Sequence, residues 1–187
     1  MKCSAEVKKV AGNGSEKVKA YAQVTIDDCF VIKNIRVLEG KNGLFVSMPS
    51  YKTKKVDETG NVIWQDYAYP ITKEARAQIV DLVLRSYESG KEESAGTAGE
   101  LGFEAEIYKN TDEESNCKAF VSCVLGGCVA VRGIKIMQGK EGNFLVMPSV
   151  ASGKVNSEGY PIYREIAHPI TKEFRARLYE TILNGLA

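Results

Sequence analysis

A chain of 187 residues with 44% apolar and 26% charged side chains is too apolar for disorder and long enough for one ordinary domain or two small ones. Its formal net charge of +1 gives none of the basic excess that marks most nucleic-acid binders. No apolar run approaches the roughly 18 residues of a membrane span, and no apolar leader follows Met1, so the expected compartment is the cytoplasm, without membrane contact.

The first residues open on an alternating strand pattern. β-Branched and aromatic residues then predict strands over residues 18–26 and 29–38, with Asp27-Asp28 as the hairpin turn between them. The second of these strands changes phase. Phe30 and Ile32 share one parity, Ile35 and Val37 the other, and Asn34 lies between. Asparagine and glycine tolerate positive φ best, so a β-bulge is predicted there. Residues 40–43 make a turn into a short strand over 44–48, ended by Pro49, which cannot donate to a ladder. A polar loop is expected next, with Gly60 leading into a strand over 62–67. Thr72 reads as a helix N-cap, with Glu74 suited to the first-turn dipole. Apolar spacing at Ala75, Ile79, Leu82 and Val83 gives the helix one buried face. Residues 89–102 are mostly small and polar and read as a flexible linker.

The same succession then returns. Shifting the chain by 99 superposes residues 19–78 on 118–177 without a gap, with roughly twenty identities. Met48-Pro49-Ser50 falls on Met147-Pro148-Ser149, and Ala68-Tyr69-Pro70-Ile71-Thr72 on Ala167-His168-Pro169-Ile170-Thr171. Gly126-Gly127 takes the hairpin turn, Gly133 the bulge, and Phe174, Leu178 and Ile182 the helix face. Only the first hairpin differs, by one residue, a change that loops tolerate. The chain is therefore a tandem duplication, with copies over 1–88 and 103–187. The expected fold class is α+β, each copy a curled antiparallel sheet closed by a C-terminal helix. One helix on a small sheet leaves a thin core, so the copies are expected to pair as a pseudo-two-fold intramolecular dimer. Pro70 and Pro169 are candidates for cis peptides in a tight turn.

The residues do not assemble a recurring catalytic set. Cys3, Cys29, Cys117, Cys123 and Cys128 lack CxxC spacing, and Cys29 and Cys128 fall in apolar strands as small hydrophobes. With His168 the only histidine, no metal or other cofactor is expected, and Tyr69 at the matching position makes His168 a turn-packing aromatic. The glycine-bounded turns lack the length and Lys-Ser/Thr ending of a phosphate loop. No enzyme is expected. What remains is local charge: residues 1–90 hold 14 Lys and Arg against 11 Asp and Glu, and residues 91–187 hold 11 against 13. Lys52, Lys54 and Lys55 flank Tyr51, with Trp64 further on. Lys73, Arg76 and Arg85 lie off the apolar face of the first helix, as do Lys172, Arg175 and Arg177 on the second. Cations beside aromatics suit phosphate contact with base stacking.

The strings Phe30-Val31-Ile32-Lys33-Asn34-Ile35-Arg36-Val37, Met48-Pro49-Ser50 and Ala68-Tyr69-Pro70-Ile71 resemble the bacterial SpoVG (septation, stage V sporulation protein G) family. Ile134-Lys135-Ile136, Met147-Pro148-Ser149 and Ala167-His168-Pro169-Ile170 carry the same resemblance in the second copy. It implies a dimerising module that binds DNA and/or RNA and regulates gene expression, sporulation or septation, so that this chain would be a covalent version of the dimer. It also implies contacts after Met-Pro-Ser, at Lys52, Thr53, Lys54 and Lys55, and at the helix starts, Lys73, Arg76, Lys172 and Arg175. The second copy has Val150-Ala151 where basic residues are expected, which favours binding by the first copy. Further self-association of the chain, and a protein-interaction module that has lost nucleic-acid binding, are the other expectations.

Overall fold

A computed structural model describes residues 1–10 and 17–186; the loop expected to absorb the one-residue difference between copies lies largely outside them. The first copy contributes β1 (Cys3–Lys9), β2 (Val18–Ile26), β3 (Phe30–Gly40), β4 (Gly43–Ser47), β5 (Ser50–Val56), β6 (Val62–Asp66), β7 (Ala68–Pro70) and α1 (Lys73–Ser89). A short β8 (Glu93–Ala95) follows. The second copy repeats the order as β9 (Phe103–Lys109), β10 (Cys117–Leu125), β11 (Val129–Gly139), β12 (Gly142–Val146), β13 (Ser149–Val155), β14 (Pro161–Glu165), β15 (Ala167–Pro169) and α2 (Lys172–Asn184). Each copy is thus an antiparallel, curled sheet ending in a helix.

The local signals act where the sequence puts them. Asp27 and Asp28 hold φ of 44° and 54°, and Gly126 and Gly127 hold 54° and 66°, the left-handed pair that a two-residue hairpin turn requires. Asn34 and Gly133 are likewise left-handed, at 60° and 80°. The register slips there, between Ala22 and Val24 opposite β3 and between Val121 and Cys123 opposite β11. The Thr72 and Thr171 hydroxyls accept from the N–H of Ala75 and Phe174 at 3.1 and 3.3 Å, capping helices whose predicted apolar faces are buried.

The bulge lets one strand edge serve two partners. Residues 36–40 of β3 pair with β4, while Phe30, Val31 and Ile32 pair with β15 of the other copy. Reciprocally, Val129, Val131 and Ala130 of β11 pair with β7. At the bulge itself Lys33 N–H donates to the Ile166 carbonyl and Arg132 N–H to the Tyr67 carbonyl, each at 2.7 Å. Ile71 N–H and Ile170 N–H close the far ends on the Cys128 and Cys29 carbonyls at 2.8 Å. Each copy therefore hands a strand to the other, and every such hydrogen bond contributes about 0.5–1.5 kcal/mol net. Pro70 and Pro169 are trans: they end extended exchanged strands instead of turning the chain. One hydrophobic cluster runs through both copies, from Ile32, Ile35 and Leu82 to Ile134, Ile136 and Leu178.

The structure corrects two further expectations. Residues 89–102, read as flexible, are stitched to the body. Glu93–Ala95 pair with β1, Leu101 is buried in the core, and the Gly102 carbonyl accepts from Gly126 N–H at 2.8 Å. β8 thereby covers the Cys3–Ala5 part of what would be an open sheet edge. The polar loops after Pro49 and Pro148 are in fact hairpins, β5 with β6 and β13 with β14. These strands pair only with each other, so each hairpin is an arm on the body. The sequence shows no alternation here because both faces of an arm are largely exposed.

Candidate nucleic-acid interface

The eight residues expected from the sequence divide between the arm and the helix starts. Lys52, Lys54 and Lys55 are exposed along β5, and the Lys52 ammonium lies 5.4 Å from the centre of the exposed Trp64 ring opposite it. Thr53 serves the fold instead, since its hydroxyl donates to the Ile63 carbonyl at 2.8 Å and ties the arm together. At the arm's tip Asp57 accepts from the Thr59 hydroxyl and from the N–H of Asn61 and Thr59, which holds its carboxyl below the usual range. Lys73 and Lys172 are exposed on the first helical turns. Arg76 and Arg175 reach back to the ends of the exchanged strands, donating to the Pro70 and Pro169 carbonyls at 3.3 and 2.7 Å. Arg175 also donates to the Tyr179 hydroxyl at 3.1 Å, so it is half committed to the fold.

Four cations that sequence spacing does not single out complete the picture. Burial pushes the Asp66 carboxyl up, and the charges of Arg76, Arg132 and Arg36 oppose that shift. An acid at the foot of the first arm therefore feels the charge of arginines from both copies. Arg132 also lies 4.9 Å from the centre of the Tyr69 ring. The pseudo-equivalent place in the second half holds Glu165, His168, Arg175 and Lys33. Here burial lowers the His168 pKa, the Lys33 and Arg175 charges lower it further, and Glu165 opposes them. His168 Nδ1 has no hydrogen-bond partner among the described residues, and Glu165 Oε2 stands 3.6 Å away, beyond that reach. Lys33 and Arg132 precede the bulge, and Arg36 and Lys135 follow it; the phase slip that locates the bulge also locates these cations.

Strand exchange creates a cleft on each side. One, of about 320 Å³, is lined by Tyr51 and Tyr67 of the first copy with Phe120, Gly133 and Lys135 of the second. Its counterpart, of about 210 Å³, is lined by Val150 and Ile166 of the second copy with Tyr21, Asn34, Arg36 and Tyr67 of the first. Tyr51 and Tyr67 pack with ring centres 4.6 Å apart.

The thiols are dispersed. Burial pushes Cys123 up to about 12 and, with Asp27, Cys3 up to about 11. Cys29 and Cys128 close the hairpin turns and are half-buried, not strand-interior as the apolar pattern implies. Among the described residues no group of three His, Cys, Asp or Glu could hold a metal ion, and no helix is long and apolar enough to cross a membrane.

Comparison with known proteins matches the sequence to one family. The family model described as SpoVG matches residues 2–89 and again residues 103–186. A SpoVG protein of Archaeoglobus fulgidus is 48% identical over 80 residues, covering 43% of this chain and 85% of its own. One from Desulforudis audaxviator is 45% identical over 82 residues, 44% of this chain and 84% of its own. One from Bdellovibrio bacteriovorus is 40% identical over 80 residues, 43% of this chain and 68% of its own. Each of these names also carries the word septation. With two matches in tandem spanning nearly its whole length, the chain belongs to the SpoVG family.

Proposed function

We propose that this protein is a cytoplasmic regulator that binds DNA or RNA, influencing gene expression, sporulation or septation, and is not an enzyme. The observation that carries the reading is the first arm, where exposed Lys52, Lys54 and Lys55 stand beside exposed Trp64. A cation held over an indole face offers a phosphate a charge and a base a stacking surface at one place. Arg36, Arg76 and Arg132, whose charges reach Asp66 at the foot of the arm, add cations near it and support a basic face on a chain of net charge +1. The septation named for relatives fits a regulator but does not specify its target.

The test is a gel-shift titration over salt. Affinity falls steeply as salt rises, because phosphate contacts release counterions. Lys52→Ala combined with Lys54→Ala weakens binding and lowers the salt slope by about two. Absent binding to both DNA and RNA, or binding indifferent to salt, would end the proposal. A second reading has its own support: Val56, Val62, Ile63 and Trp64 on one arm and Val155, Tyr160, Ile162 and Tyr163 on the other are exposed apolar residues, which suit a protein partner. A pull-down that recovers a protein and no nucleic acid would favour it.

A further inference from the structure

We propose that the larger junction cleft is a stacking pocket for an unpaired base of a single-stranded nucleic acid, with Lys135 holding the adjoining phosphate. This rests on the nucleic-acid reading above and specifies its form. Three rings meet at the cleft: Tyr51 and Tyr67, tilted 37° to one another, and Phe120, which is 46% exposed at its mouth. Phe120 and Lys135 are direct cross-strand partners, which sets an aromatic face and a cation side by side. Tyr108, 55% exposed, flanks Phe120 on its other side and continues the platform; its hydroxyl donates to Glu106 at 2.6 Å.

Gly133 forms part of the floor. A Cβ on Gly133 would stand 3.5 Å from Tyr67 Cδ1 and 3.6 Å from Pro148 Cβ, so the Tyr67 ring already lies against the bare bulge. Asn34 fills that place in the sister cleft, where Val150 and Ile166 stand for Tyr51 and Tyr67. Tyr21 and Tyr67 also reach the sister cleft, so what sets the larger one apart is the packed Tyr51–Tyr67 pair beside Phe120. A duplex keeps its base faces stacked within the helix, whereas a single strand presents them to aromatic side chains. The occupant that uses both the rings and the adjacent ammonium is therefore a single strand.

The full chain is titrated with labelled oligothymidylate, oligouridylate and a duplex, using the native protein, Phe120→Ala, Phe120→Tyr and the Lys52→Ala, Lys54→Ala double variant. Phe120→Ala weakens single-strand binding about tenfold or more and leaves duplex binding unchanged, and Phe120→Tyr restores it. The two oligonucleotides tell DNA from RNA. The arm variant weakens single strand and duplex alike, because it removes phosphate contacts. Oligonucleotides carrying 5-iodouracil crosslink to Tyr51, Tyr67 or Phe120. If Phe120→Ala has no effect, or weakens single strand and duplex equally, or if crosslinks form only at Trp64, the cleft is not the site and the arm reading survives. If the native protein binds none of the three, both proposals fall.

Discussion

The two arms share one strand pairing and carry different surfaces. β5 and β6 carry Lys52, Lys54, Lys55 and Trp64, while the matching positions of β13 and β14 carry Ala151, Gly153, Lys154 and Tyr163. The junction clefts diverge in the same way, with Tyr51 and Phe120 on one side where Val150 and Tyr21 stand on the other. Yet the left-handed bulge residue, the helix cap and the strand handover occur in both halves. The difference teaches which positions hold the fold. Substitutions at exposed sites away from caps and strained backbone usually cost no more than about 0.5 kcal/mol, so the surfaces are free to part while buried and backbone-special positions are not.

The comparison breaks most visibly if the halves prove to be independent bodies. Ile79 and Leu178 are fully buried in one cluster, so Ile79→Ala and Leu178→Ala should each remove about 2–5 kcal/mol from a single shared urea transition. Two separated transitions, each moved by only one of the variants, would show that the handed-over strands do not couple the copies.

A smaller effect probes a backbone site, the bulge, where the halves use different residues. Gly133→Val places a β-branched residue at φ 80° and should cost about 1–3 kcal/mol. Asn34→Gly at φ 60° should stay within about 1 kcal/mol of neutral. Equal losses for both variants, read from thermal melts, would mean that the bulge is not the shared device described above.

The smallest expected effect separates His168 from its counterpart Tyr69. The folded pKa of His168 lies below the ordinary value of 6.5. Above that value both states are neutral and nothing is lost. As pH falls through 6.5 toward the folded pKa, the unfolded chain takes up the proton first, so stability declines. His168→Tyr should flatten this acid-side slope, measured as the urea midpoint across pH 5 to 7.5. An unchanged slope would show that the buried imidazole contributes none of it.

Much of the fold is legible in the sequence, for a physical reason. Bulge, hairpin turn and cap are local: Asn34 or Gly133 with its phase slip, Asp27-Asp28 or Gly126-Gly127, and Thr72 or Thr171 each declare a backbone state within a few residues. The destination of β7 and β15 is not local. Ala68-Tyr69-Pro70 reads as a strand end, and nothing in it says that its partner belongs to the other copy. β8 escapes a pattern-based reading because Glu-Ser-Ala has no apolar alternation and is held by main-chain pairing to β1. The candidate interface is half legible for the same reason. Lys52, Lys54 and Lys55 are close in sequence, but the Arg36, Arg76 and Arg132 cluster exists only after the strands are exchanged. Composition also divides the chain into a basic and an acidic half, whereas the clusters draw on both.

The exchanged strands have a consequence for direction. Two identical subunits related by a two-fold axis must present identical sites, so a ligand can approach in either of two equivalent orientations. Here both halves lie on one chain, and every molecule holds two unlike clefts in fixed proportion, one with the Tyr51–Tyr67 pair and one with Val150 and Ile166. The pairing is intramolecular and does not depend on protein concentration. The molecule has a front and a back, and a directional ligand that engaged both clefts would be given one way to lie.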